Sequence, residues 1–190
     1  MMVPASAASA VPRNLLAALL ADAPPAPAAA LRQAADRARE HAFVVLPLGL
    51  QAATDARELA SLHAAIALQS VRHGRPMAPT VLLSAGPVLH NGAPAGAAEF
   101  LLALALSLDQ NPLIHACASD ADAPAAGSGT ATTGFWIGPD TIRRSLAAGL
   151  QPGASLARGE ALALFTALGD TYAAPAGSGT VLRAILISVD

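Results

Sequence analysis

The sequence contains no lysine; all eleven of its basic residues are arginine. That absence removes the P-loop lysine of nucleotide-binding loops, the lysine that forms Schiff bases and the strand lysine of protein kinases. A single cysteine, Cys117, excludes an internal disulfide and a cysteine-based zinc site. It lies within an apolar run, so a buried, inert thiol is expected there. Aromatic residues make up only 3% of the chain, which leaves leucine, valine, isoleucine and alanine to build the core. The net charge is -2 and the arginines are scattered, whereas nucleic-acid binding needs a clustered basic face. No apolar run approaches the ~20 residues of a membrane-spanning helix. Leu15–Ala21, after Arg13, has the outline of a short signal peptide, but Asp22 ends it. A helix packed on the domain is expected instead, in a cytoplasmic soluble protein. No G-x-S-x-G, H-E-x-x-H or Walker sequence occurs.

What is present is a hydrophobic majority, 54% of 190 residues, enough for one buried core or one domain and a fragment of another. Residues 1–11 are small and apolar without period, so loose docking or disorder is expected. Asn14–Ala21 suits a short helix, and Ala23–Pro27 a connector. Ala28–His41 sets Leu31, Ala35 and Ala38 opposite arginines, the pattern of an amphipathic helix. Phe43–Leu46 reads as a strand broken by Pro47 and Gly49. Thr54 is placed to cap a helix from Asp55 to His73, which Gly74 and Pro76 stop. Strands are expected at Thr80–Leu83, Leu113–Ala118, Phe135–Ile137 and Thr180–Val189. Helices are expected at Ala95–Leu108, from Pro139 to near Gly149, and at Ala154–Arg158 and Glu160–Leu168, with a loop at Gly127–Gly134. Helices alternating with short strands define an α/β class, with a mixed or mainly parallel sheet and helices packed on its faces.

The run Leu113–Asp122, L-I-H-A-C-A-S-D-A-D, is an apolar strand leading into two carboxylates. Ligands of open α/β sheets settle outside the carboxyl ends of strands, which makes Asp120 and Asp122 the metal candidates. They either share a magnesium ion through hard oxygen ligands or form a solvated turn. Ser84, at the end of its strand, is either a ligand contact or a turn serine. Glu99 is a site acid or a helix-start acid favoured by the dipole. His63 and His73 are ten residues apart and fall on different helix faces, so a shared metal is not expected. His90 and His115 read as ordinary loop or core histidines. Arg183, in an otherwise apolar final strand, is placed to meet an anion. The echo of P-A-A-G-S-G-T ending at Thr130 in P-A-G-S-G-T ending at Thr180 suits either phosphate-cradling turns or loops of biased composition.

From about Arg32 to Ile187 the order of motifs resembles the MOFRL-type glycerate 2-kinases, a family often named hydroxypyruvate reductase. The resemblance rests on R-E-L-A-S-L-H-A-A-I-A-L-Q-S-V-R-H-G-R-P (Arg57–Pro76), V-L-L-S-A-G (Val81–Gly86) and E-F-L-L-A-L-A-L (Glu99–Leu106). It continues in G-P-D-T-I-R-R-S-L-A-A-G-L (Gly138–Leu150), F-T-A-L-G-D (Phe165–Asp170) and R-A-I-L-I (Arg183–Ile187). It implies the later part of a two-domain kinase: an extension over 1–30, a remnant of the upstream domain over 31–76 and a MOFRL-like α/β domain over 77–190. It also implies ATP-dependent phosphorylation of D-glycerate to 2-phosphoglycerate with magnesium. ATP and magnesium enter through the resemblance alone, since the residues themselves name no cofactor.

The departures fall on polar positions. Pro87 stands where the family's L-S-G-G-E has its acid, and Pro94–Ala98 replaces G-G-R-N-Q. Asp120 and Asp122 are kept from D-T-D-G-I-D-G, but Ala125 replaces the third acid. Gly159–Leu162 replaces N-D-S-Y, and Pro175–Val181 replaces a loop that carries asparagine and aspartate. Ser84, Gly86, Glu99 and Arg183 remain as candidates for substrate or phosphate binding. Phosphoryl transfer depends on cations and donors placed around spread charge, and each preorganised donor removed costs about 10²–10³ in rate. Little or no activity is therefore expected from this chain alone. Small-anion binding or regulation, a homodimer, or pairing with a separate chain that supplies the upstream domain remain the other expectations.

Overall fold

The structure is a computed structural model and describes residues 10–24, 26–74, 79–119, 132–174 and 181–188. Two helices come first, α1 (Ala10–Leu20) and α2 (Pro27–Glu40), followed by β1 (Val44–Leu50), β2 (Thr54–Asp55) and α3 (Ala56–His73). Then come β3 (Thr80–Gly86), β4 (Val88–His90), β5 (Ala93–Ala95), α4 (Ala97–Ser107), β6 (Ile114–Ser119) and β7 (Thr132–Ile137). The chain closes with α5 (Thr141–Ala147), α6 (Pro152–Ala157), α7 (Ala161–Leu168), β8 (Thr171–Ala174) and β9 (Val181–Ile187).

One six-stranded sheet, ordered β1-β3-β9-β6-β7-β8, forms the middle layer. Only β1 and β3 pair in parallel; the pairs β3–β9, β9–β6, β6–β7 and β7–β8 are antiparallel. The sheet is thus of the mixed kind. Because β9 runs between β3 and β6 in the opposite sense, the last residues of β3 and β6 lie beside the first of β9: Gly86 faces Val181 and Ser119 faces Leu182. The carboxyl ends of three co-directional strands therefore share one edge with the start of β9.

Both faces of the sheet are covered, so its central strands read as continuous apolar runs rather than alternating ones. With a side-chain period of two, Leu82, Ala116, Phe135 and Ile185 face the layer of α3, α4, α6 and α7. Val81, Cys117, Trp136, Ala184 and Leu186 face α1 and α2. Within these runs Ser84 and Arg183 are polar exceptions on one face, and they are cross-strand neighbours. Residues on both sides of position 76 contribute to this sheet, since β1 hydrogen-bonds to β3.

Local signals account for several boundaries. The Asp55 carboxylate, rather than Thr54, caps α3 by accepting from Arg57 N–H at 2.9 Å. Gly74, with φ 54, ends that helix in the left-handed region. Strand β1 runs on through Pro47 and Gly49 by a register shift between them. As an edge strand it tolerates the missing N–H. A small second sheet, β2-β4-β5, adds a hairpin turned at Asn91 and Gly92, both at positive φ. Thr132–Gly134 belongs to β7, so the loop expected over Gly127–Gly134 stops short of these residues. The rest of that loop lies outside the described residues. No described helix is long and apolar enough to cross a membrane.

Candidate functional site

The shared edge brings together three of the candidates named from the sequence. Ser84 ends the apolar run of β3, Arg183 reaches across from β9, and Gly86 supplies a carbonyl. Arg183 Nε donates to Ser84 Oγ at 3.0 Å, and its Nη1 and Nη2 donate to Gly86 O at 3.3 and 3.2 Å. A residue that sequence reasoning set aside completes the group. His63 Nε2 lies 2.8 Å from Ser84 Oγ, and its Nδ1 lies 2.8 Å from Leu59 O.

The polarity of this chain of bonds follows from its ends. Arg183 can only donate and the Leu59 carbonyl can only accept. His63 Nδ1 therefore carries its proton toward Leu59, and Nε2 accepts the Ser84 hydroxyl proton. Ser84 in turn accepts from Arg183. The imidazole is neutral in this arrangement, and its pKa agrees: burial pushes it down to about 4, opposed by the Leu59 hydrogen bond and helped by the Arg183 charge. The Phe100 ring lies against both, edge-on to His63 at 5.3 Å and beneath Arg183 at 5.2 Å.

A serine beside a histidine whose far nitrogen is anchored has the connectivity of an activated nucleophile. Burial decides against that use. Ser84 is 1%, His63 2% and Arg183 0% exposed, and the guanidinium is hydrogen-bonded to Oγ. The network locks α3 to β3 and β9. Gly86 is required at its place because a Cβ there would lie 2.5 Å from Gln51 O.

Glu99 stands apart from this network. It accepts from Gly96 N–H at 3.1 Å at the start of α4, the geometry of one half of a capping box. Asp120 and Asp122 lie outside the described residues, as do the two glycine-serine loops. In the described part of the edge the Ser84 hydroxyl and the Arg183 guanidinium are bonded to one another below the surface.

A second polar cluster lies on the opposite face, near the end of β7. The Arg13 guanidinium sits over the Trp136 ring, whose other neighbour is Arg144 at 5.2 Å. Arg144 forms a bidentate pair with Asp170, one contact at 3.0 Å, and lies 3.0 Å from Asp140. Arg13 approaches Asp170 at 3.8 Å. Burial raises the Asp170 carboxyl and the two arginines draw it back. Two of the motif stretches, Gly138–Leu150 and Phe165–Asp170, meet here, and their polar residues tie α5 to the turn before β8.

A mixed six-stranded sheet between helical layers, with a buried arginine at its carboxyl edge, defines an α/β protein. No family model matches the chain. Two proteins of Agrobacterium vitis, each named "Putative hydroxypyruvate reductase", are 32% identical over 151 residues and 34% identical over 171. These matches cover 76% and 85% of this chain and 39% of each relative. The crystal structure of a glycerate kinase from Thermotoga maritima superposes with a TM-score of 0.71 at 19% identity, over 84% of this chain and 40% of that one. A protein from Pyrococcus horikoshii superposes with a TM-score of 0.64 at 15% identity, over 86% of this chain and 39% of that one. At such identities the likeness to the two solved structures is one of fold. The chain belongs to the glycerate kinase/MOFRL-type family and spans about two fifths of the length of the curated relatives it matches.

Proposed function

We propose that this chain provides the MOFRL-like part of a glycerate kinase-type fold and, by itself, transfers no phosphoryl group at a useful rate. The observation behind this reading is the direction of the Arg183 donors. Nε, Nη1 and Nη2 each make a bond inward, to Ser84 and Gly86, whereas a kinase aims cationic donors at the charge that develops on the transferring group. The polar substitutions at Pro87, Pro94–Ala98, Ala125 and Gly159–Leu162 act in the same direction. Several losses of about 10²–10³ each, even if far from additive, bring turnover below detection.

A coupled assay with D-glycerate, ATP and magnesium tests the reading. It expects no product above background. Turnover near the ordinary kinase range of about 1–100 s⁻¹ would overturn it.

A second reading is that this part of the fold acts only together with the region its matches leave uncovered, since they span 39% of each curated relative. Mixing it with a polypeptide that spans the remaining length of an Agrobacterium vitis relative should then restore product formation. No gain on mixing counts against that reading.

A further inference from the structure

The sheet is covered unevenly at its β1 edge. On one face β1 packs against α2. On the other, α4 lies over β6 and β7, and α3 lies over β9 and against α4, so the helical layer stops short of the edge. Val44 and Leu46 point to that bare side, since Leu46 stands beside Leu82, which faces α3, while the intervening Val45 faces α2. They are 40% and 39% exposed. Leu62 of α3 is 61% exposed. With Ile66 it falls round the helix from the groove that Ser61 and Leu68 line toward α4. No charge interrupts β1, which reads V-V-L-P-L-G-L. The open edge itself refuses another strand. Val44 N–H donates inward, to Pro79 O at 3.0 Å, so alternation turns the nitrogen of Pro47 outward, where it has no proton to donate. The register shift between Pro47 and Gly49 interrupts the edge further on. What remains for a partner is the apolar face of β1 and the adjoining flank of α3.

We propose that this face is the docking surface for an apolar helix from the region that the relatives carry outside the match, an inference that rests on the second reading above. The two curated relatives and the two solved structures agree in extent: the matched part is 39% or 40% of each. In every one of them this fold is therefore accompanied by enough further chain to supply the cover. A sheet buries each of its faces against another element, and among the described residues none covers this one. A patch of valine and leucine without charge matches the core of a permanent interface rather than a transient, polar one. The outward nitrogen of Pro47 sets the manner of docking, by side chains laid on the face and not by a seventh strand.

Co-expression of the tagged chain with a polypeptide spanning the remaining length of an Agrobacterium vitis relative, followed by purification and light scattering, tests the proposal. A complex with one copy of each is expected. Leu62→Asp alters an exposed helix position, which spares the fold, but places a charge in the interface. The partner recovered should fall at least about tenfold. Val44→Asp should act alike from β1, with circular dichroism to check its fold. Leu162→Asp is the control: it is 52% exposed on α7, which packs against α4, α5 and α6, and should retain the partner within about twofold. A complex that both Leu62→Asp and Val44→Asp hold as wild type does overturns the proposal, whatever product it forms. A complex lost in both variants, yet inactive in wild type with D-glycerate, ATP and magnesium, sinks the second reading and leaves the docking surface standing. Absence of any complex overturns the proposal, as does a dimer of this chain alone that Leu62→Asp disperses.

Discussion

Between about pH 6.5 and 4 the unfolded chain should take up a proton at His63 that the folded chain refuses. An unfolded histidine titrates near 6.5, whereas burial holds the folded one at about 4. In that window the unfolded state binds more protons, so stability falls as pH falls, and the loss levels off below the folded pKa. A gap of about 2.5 units at 1.36 kcal/mol per unit gives about 3 kcal/mol, a large share of the 5–15 kcal/mol typical of a domain. The structure supplies the cause. An imidazolium at this position would present a proton to the Ser84 hydroxyl, which already accepts from Arg183 Nε at 3.0 Å, and would place a second cation in the same dry pocket. Urea unfolding followed by far-ultraviolet circular dichroism, in half-unit steps from about pH 7.5 to about 4, measures the effect. His63→Gln is the reference, because it fills the site without titrating. Burial also pushes His115 down and Asp170 up, but both proteins carry those groups and the difference between the curves cancels them. The wild-type curve should fall by about 3 kcal/mol relative to His63→Gln. Parallel curves would refute the reasoning.

Ser84→Ala removes the link between two buried partners and leaves His63 Nε2 without its donor. A loss of about 1–3 kcal/mol is expected in chemical denaturation; no loss would mean that the network carries little. Gly134→Ala would drive a Cβ to within 2.2 Å of the Tyr172 ring, so a loss of about 1–3 kcal/mol is expected. Tyr172→Ala in the same chain should recover part of it, as a double-mutant cycle would show.

The layers of this fold were legible because they depend on local patterns. Apolar runs marked β3, β6 and β9, and the helices between them followed from periodicity and terminal signals. Strand direction was not legible. Nothing in V-L-R-A-I-L-I says that β9 runs against both neighbours, and that choice brings Arg183 beside Ser84 across 99 positions of sequence. The ten-residue spacing of His63 and His73 speaks only to a shared metal and says nothing of Ser84. A signal for the burial of His63 was available, since it falls in line with Leu59 and Ala67 on the buried stripe of α3. The Asn91-Gly92 pair is a strong hairpin signal, and it turns β4 into β5. By contrast β8, with only Thr171, Tyr172 and two alanines, offers too few β-formers to separate it from loop.

In the function we propose, Ser84, Gly86 and Arg183 serve the fold rather than a ligand. Side-chain nuclear magnetic resonance of Arg183 Nε–H and the His63 ring, titrated with inorganic phosphate, magnesium-ATP and D-glycerate in turn, tests it most directly. The account predicts resonances that stay in place and an Arg183 proton protected from exchange throughout. A saturable shift at either residue with any of the three would contradict it.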